Sequence, residues 1–169
     1  MKRIRIFQTL TVTALCSLLL IPAASFAGEK TDFTGEWALN EDKSDLGEGR
    51  AFAAFKVAVK QEGNTISIER TRTGRDGEER TTSETLTLDG KENINESERG
   101  SSSSVLTWSD DGATLTIKSK REFDRQGETF EMNSAEVWTL AEDGKILKIQ
   151  SEMSSSRGER SVSLVYEKK

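Results

Sequence analysis

Apolar and polar residues alternate with a period of two along much of the chain. Phe55, Val57 and Val59 are separated by single lysine or alanine residues, and the same spacing recurs at Ile66 and Ile68. This period indicates β-strands that bury one face and expose the other to water. The later members of the pattern are Leu115, Ile117, Phe130, Met132, Trp138, Leu140, Val162, Leu164 and Tyr166. The pattern predicts an all-β protein.

Glycine marks the turns between these strands. Asp-Gly and other glycine-containing pairs recur one strand and one turn apart, and glycine supplies the positive φ that tight hairpins need. We predict about nine strands, near residues 34–40, 53–61, 65–73, 79–88, 103–109, 113–123, 128–140, 145–155 and 160–167. Consecutive hairpins favour an antiparallel up-and-down meander closed into a barrel. A β-sandwich is the alternative, with residues 41–52 and 91–102 as its crossings.

The first 27 residues have the layout of a removable leader. A basic start at Lys2, Arg3 and Arg5 precedes an apolar centre, and small residues lead to Ala27. These are the parts of a secretory signal peptide, and the apolar centre is short for a membrane span. We therefore predict cleavage after Ala27, a periplasmic or secreted location, no membrane span, and one domain over residues 28–169.

Composition disfavours several classes of function. The chain has no histidine, and its one cysteine, Cys16, lies in the predicted leader. The domain therefore lacks the side chains that catalytic triads, thiol nucleophiles and the usual zinc sites require. A carboxylate pair or a Ser–Lys pair stays open as catalytic chemistry, but neither has a local signature. We predict a protein that is not an enzyme, with no catalytic residue, metal ligand or cofactor.

Charge disfavours nucleic acid as a partner. The formal net charge is −5, and no segment concentrates the basic residues that a phosphate backbone requires. An acidic surface of this kind mainly favours solubility.

A Gly-x-Trp element lies on the first predicted strand, within the stretch DFTGEWALNEDKSD at residues 32–45. Together with LDGK, EDGKILKI and a final VYEKK, this stretch resembles exported bacterial lipocalin-like domains of the calycin type. The resemblance implies that Gly35 and Trp37 are structural and that Trp37 closes the floor of the barrel. It also implies a basic residue over that tryptophan, for which Arg157 and Arg160 are the candidates. We expect the loop at 41–52 to lie across an end of the barrel.

Charged residues interrupt the apolar face of several strands. Arg70 and Arg72 continue the parity of Ile66 and Ile68, and Glu136 lies between apolar residues of its strand. Because charges are rarely buried without partners, these residues suggest a polar pocket for a small anionic or amphipathic molecule. The alternative is that the strands carry these charges past the core into solvent, or that a bulge changes the parity. The candidate ligand-binding residues are Arg70, Arg72, Arg121 and Glu136, with Trp108 and Trp138 as apolar walls.

These predictions lead to two hypotheses about the function. The first is an exported small-ligand-binding or envelope accessory protein that acts non-covalently. The second is a protein-interaction module, with an envelope protein as partner, that uses the loop at 41–52 or an edge strand. Serine-rich runs at 100–104 and 153–158 are candidate edges, because weakly patterned strands pair readily with other chains.

Acids such as Glu84 are interpreted as ordinary solvated residues.

Overall fold

A computed structural model gives the fold of residues 29–47, 53–74, 76–97, 100–125, 128–156 and 158–169. The predicted signal peptide at 1–27 lies outside the described residues. The strands within them are β1 (Gly35–Leu39), β2 (Lys56–Glu62), β3 (Thr65–Thr73), β4 (Glu79–Thr87), β5 (Glu92–Ser97), β6 (Gly100–Trp108), β7 (Thr114–Arg125), β8 (Glu128–Ala141), β9 (Ile146–Ser155) and β10 (Gly158–Lys168).

The strands form one antiparallel meander that curls into a nearly closed barrel. Each strand pairs with the next in sequence except at β4 and β5, and β1 also pairs with β10. The barrel prediction is therefore confirmed over the sandwich. At the interruption between β4 and β5, the side chain of Asn93 contacts β4: its Oδ1 accepts from the Thr87 N–H at 2.7 Å and its Nδ2 donates to the Thr87 carbonyl at 3.5 Å.

Strand β5 was missing from the nine predicted strands, and residues 91–102 were considered only as a crossing of the alternative sandwich. The segment pairs with β6 from Glu92 to Ser97, so the described residues contain ten strands. Its alternation places asparagine on one face and Ile94 on the other, and Ile94 is 66% exposed. A strand with so little apolar content gives no periodic hydrophobic signal.

Trp37 closes one end of the barrel, which we call the floor. It is fully buried, and its Nε1 donates to the Phe33 carbonyl at 3.0 Å. The basic residue over its ring is Lys168, with Nζ 5.3 Å from the ring centroid. Gly35 leaves room for this lysine, since a Cβ there would lie 2.9 Å from its Cε. Arg160 was therefore the wrong candidate, and Arg157 lies outside the described residues.

The described part of the loop at 41–52 runs along β10 and not across the barrel end. A short 3-10 turn at Glu41–Lys43 follows β1, and Asp45 then forms an isolated bridge with Ser163. The Ser44 hydroxyl donates to the Asn40 carbonyl at 2.6 Å and accepts from the Val165 N–H at 2.9 Å. Residues 48–52 lie outside the described residues. No helix in the described ranges is long and apolar enough to cross a bilayer.

The serine-rich runs are not sheet edges. Residues 100–104 belong to β6, which pairs with β5 on one side and β7 on the other. Residues 153–155 likewise pair with both β8 and β10. Among the described strands, the edges are β4 and β5. An interaction through a serine-rich edge strand is thus contradicted by the pairing.

We predict that alkaline pH destabilises the fold through Tyr166. Burial raises the pKa of its phenol, and its hydroxyl donates to the Ala54 carbonyl at 2.9 Å. A raised pKa in the folded state contributes stability that is complete below the unfolded pKa of about 10 and is lost as pH rises above it. Tyr166 is the only tyrosine, so tyrosinate absorbance reports this group alone.

The measurement is the free energy of unfolding in urea between pH 8 and pH 11 for the native chain and Tyr166→Phe. Lysine ion pairs titrate in the same range in both proteins, so the difference between them isolates the phenol. The native protein should lose more stability across this range than the variant. Parallel pH profiles, or tyrosinate absorbance appearing at the ordinary pKa in the folded protein, would contradict the prediction.

Candidate functional site

The interior of the barrel changes from apolar at the floor to polar at the opposite end, the mouth. Near the floor, Phe33 stacks on Trp108 with ring centroids 5.9 Å apart and meets Trp138 edge-on at 5.7 Å. Further along the same strands the inward positions become arginine, glutamate and serine. Because inward residues recur at every second position, one strand such as β3 carries both Ile68 and Arg70 inside. At the floor, the side chains of Phe33 and Trp138 are fully buried in the hydrophobic core.

Arg70 is the centre of a buried charge network. Its guanidinium donates to the Glu136 carboxylate at 2.9 Å and also bonds Glu84 on the neighbouring strand β4. The Arg70 side chain is 12% exposed, against 24% for Glu136 and 39% for Glu84. The same Glu136 oxygen accepts from Trp138 Nε1 at 2.9 Å. The two carboxylates raise the pKa of Arg70 against the opposing effect of burial, so the charge is fixed.

Arg72 lies two residues further toward the mouth and lacks such partners. Its Nε is buried and has no hydrogen-bond partner among the described residues. Burial first, and then the like charge of Arg70, lower the pKa of its guanidinium. Glu136 attracts Arg72 at longer range but is already engaged by Arg70 and Trp138. The barrel therefore contains one compensated and one uncompensated arginine, side by side.

A small inner cavity of about 90 Å³ adjoins both arginines. Apolar side chains from β9 and β10, including Ile149 and Leu164, form one wall, and Tyr166 and the segment at Ala53 and Ala54 form another. Ser151 adds a hydroxyl. Three arginines and one glutamate line it: Arg70, Arg72, Arg160 and Glu136. The inner cavity thus combines an apolar wall with a cluster of charged side chains.

A larger pocket of about 510 Å³ opens at the mouth itself. Its apolar wall contains Phe123 and Phe130, which stack at 5.6 Å, together with Met132 and Met153. Arg121 lines the pocket and is exposed. Met153 and Arg160 border both this pocket and the inner cavity, so the two spaces are neighbours.

Two carboxylates in the wall of the mouth pocket are committed elsewhere. Glu122 and Glu131 lie on the opposite face of their strands from Arg121 and bind Lys120 Nζ at 2.9 and 3.0 Å. The hydrogen bond from Asn133, and then the one from Lys120, lower the pKa of Glu131. These acids therefore do not neutralise the arginine inside the pocket.

The structure brings together only part of the predicted site. Arg70, Arg72 and Glu136 meet at the inner cavity, and Arg121 lies in the adjoining mouth pocket. The two predicted apolar walls belong to the floor: Trp138 is fully buried beneath Glu136, and Trp108 packs on Phe33. Neither tryptophan lines the inner cavity or the mouth pocket, so their assignment as ligand contacts stays a prediction.

Sequence reasoning missed most of the apolar wall of the site. Phe123 follows Arg121 by two residues, and Met153 follows Ile149 by four, so the same parity argument reaches both. Glu84 shares the parity of Leu86 and is a partner of Arg70, which corrects its interpretation as a solvated residue. Its strand is otherwise rich in exposed threonine and serine, which concealed the inward face.

The described part of the chain contains no cluster of three or more acidic, histidine or cysteine side chains arranged to hold a metal ion. The charged groups of the two cavities are held in ion pairs or are arginines, which do not give up a proton at ordinary pH. This arrangement can attract and orient an anion.

Comparison with known proteins supports the fold assignment. No family model matches the chain, and no curated protein matches it in sequence. A solved structure, zebrafish ileal bile acid-binding protein complexed with cholic acid, matches with a TM-score of 0.52. The two chains are 15% identical, and the match covers 81% of this chain and 98% of the zebrafish one. The chain therefore has a calycin-like β-barrel fold.

We predict that Glu136→Gln destabilises the protein more than the matched change Glu84→Gln. The glutamine keeps the shape and an acceptor for Trp138, so the change isolates the loss of charge beside Arg70. Breaking a fully buried pair costs about 3–5 kcal/mol. We expect about 2–3 kcal/mol here, because Glu84 still faces the guanidinium.

Glu84→Gln should cost about 1 kcal/mol, since this carboxylate is more exposed and an exposed pair contributes little. Urea unfolding followed by tryptophan fluorescence measures both variants. Equal losses, or no loss for Glu136→Gln, would contradict the prediction. They would show that the Arg70–Glu136 pair contributes no more to stability than the Arg70–Glu84 pair.

Proposed function

We propose that this protein binds a small amphipathic anion non-covalently at the mouth of its barrel. The observation that carries the proposal is the mouth pocket, where the apolar surface of Phe123, Phe130 and Met132 lies beside Arg121. Apolar walls favour burial of a hydrocarbon surface, and a guanidinium favours a carboxylate or another oxyanion. No hydrogen bond or ion pair holds Arg121 among the described residues, so its donors are available to a ligand.

The filled floor restricts the ligand. Trp37, Trp138 and Phe33 are fully buried and belong to the hydrophobic core, and none of them lines the inner cavity or the mouth pocket. A ligand in the mouth pocket therefore has a compact body and keeps its charge among the arginines. The zebrafish neighbour is described as a complex with cholic acid, which is a compact amphipathic acid and supplies a first probe.

The cellular setting is part of the same proposal. The leader at residues 1–27 has the composition of a signal peptide, and its removal would place the barrel in the periplasm or outside the cell. There it would act as a carrier or accessory protein of the envelope. Its work requires binding and release only, with no covalent step.

We predict that Arg121→Ala weakens binding of amphipathic anions about tenfold, the lower end of the range for a charge-assisted hydrogen bond. Isothermal titration with cholate, decanoate and anilinonaphthalene sulfonate measures the dissociation constants. Lys118→Ala is the matched control, because it removes one positive charge from the opposite face of the same strand β7. Its affinities should equal those of the native protein.

Two results would contradict the proposal. One is that the folded native protein binds none of the three anions. The other is that both variants lose affinity equally, which would show a general charge effect in place of a site. A saturable one-to-one isotherm that is sensitive to Arg121 alone would support it.

A second function, interaction with another protein, is favoured by the β5 edge. Strand β5 has no backbone partner on the side of β4, and Ile94 on it is 66% exposed. Unpaired edges with an exposed apolar residue bind other strands readily. We predict that, if this edge is an interface, Ile94→Lys removes any concentration-dependent rise in mass.

Light scattering over a wide range of concentration measures this mass, with Thr81→Lys on β4 as the control at the other edge. A constant monomer mass for the native protein and both variants would argue against self-association. The ligand-binding proposal would then stand alone.

A further inference from the structure

Arg72 brings to the inner cavity a guanidinium whose buried Nε has no hydrogen-bond partner among the described residues. A buried donor without a partner costs free energy, and a buried charge without a partner costs more. Native interiors normally meet such a group with water, an ion or a ligand.

The neighbouring carboxylates do not pair with Arg72 because they are bonded to Arg70. Glu136 receives hydrogen bonds from Arg70 and Trp138, both at 2.9 Å through the same oxygen. Glu84, on the edge strand β4, bonds the other terminal nitrogen of the Arg70 guanidinium. Among the described residues, no carboxylate therefore forms a hydrogen bond or ion pair with Arg72, which lines the inner cavity. The lowered pKa of Arg72 has the same cause, burial beside the like charge of Arg70.

We infer that the inner cavity is an oxyanion subsite, in which Arg72 binds the charged head of the ligand while the body of the ligand lies in the mouth pocket. This inference rests on the proposed function for the identity of the ligand, but the subsite itself is defined by Arg72. Met153 and Arg160 line both spaces, so the subsite and the mouth pocket lie next to each other.

The size of the cavity selects the class of head group. A water molecule in the liquid occupies about 30 Å³, so about 90 Å³ admits a carboxylate or one tetrahedral oxyanion and excludes a bulky polar head. The planar donor set of arginine matches two oxygens of such a group. A hydroxyl head would leave the charge of Arg72 unmatched. The site therefore discriminates an amphipathic acid from the corresponding alcohol.

The first test observes Arg72 directly with small anions. The side-chain Nε–H resonance of Arg72, assigned by its loss in Arg72→Lys, is followed during titration with sodium acetate and sodium phosphate. Sodium chloride at equal ionic strength is the control. A saturable shift with acetate or phosphate, and none with chloride, supports the subsite. The absence of any saturable shift overturns it and leaves water as the occupant.

The second test measures selectivity for the head group. The native protein should bind decanoate at least about tenfold more tightly than decanol, a ratio set by a charge-assisted hydrogen bond. Arg72→Gln should lower this ratio about tenfold and leave only the share that Arg121 contributes, and Arg72→Lys should give an intermediate value because a lysine keeps the charge without the planar fork. Arg80→Gln is the matched control: Arg80 lies opposite Arg72 in register but is 67% exposed and paired with Asp76.

The two tests separate this inference from the proposed function. If decanoate binds through Arg121 but the ratio is insensitive to Arg72, the subsite is wrong and the mouth pocket stands. If acetate shifts the Arg72 resonance while no amphipathic anion binds, the subsite stands and the proposed function fails. Circular dichroism of each variant verifies that it is folded before its ratio is compared.

Discussion

A guanidinium inside a barrel has to be matched by carboxylates, and in this protein Arg70 imposes that requirement on its surroundings. Strand β3 turns every second residue inward, so the parity that buries Ile66 and Ile68 also places Arg70 inside. Glu136 from β8 and Glu84 from β4 supply the two charges that allow it to remain there. A buried ion pair of this kind adds little net stability but is costly to break.

The network divides the barrel into two halves. Below it, the Trp138 indole donates to Glu136 and packs on Phe33, so the apolar floor is tied to the charges above it. Above it, Arg72 and Arg121 line space that side chains do not fill. The division explains how one small barrel combines a solid core with a polar cavity. The fully buried aromatic residues lie at the floor, and the two cavities lie toward the mouth.

Period-two alternation and turn glycines were sufficient to predict the strands and their meander, because both follow from local backbone geometry. Strand β5 was missed because its inward side chains are asparagines, which carry no hydrophobic signal. The site was predicted in part: parity placed Arg70, Arg72 and Glu136 inside, but it cannot say at which height of the barrel a residue lies. Trp108 was thus assigned to the pocket although it lies at the floor, and the cation over Trp37 was sought at Arg160 when it is Lys168. Such choices depend on strand register, which alternation alone does not fix.

The central claim is that the mouth of this barrel holds an amphipathic anion. Native mass spectrometry of protein purified without denaturation, beside the same protein after complete unfolding and refolding, tests it most directly. The account predicts a discrete mass excess on the native sample that unfolding removes. Identical monomer masses before and after refolding, with no adduct even after incubation with cholate or decanoate, would contradict it.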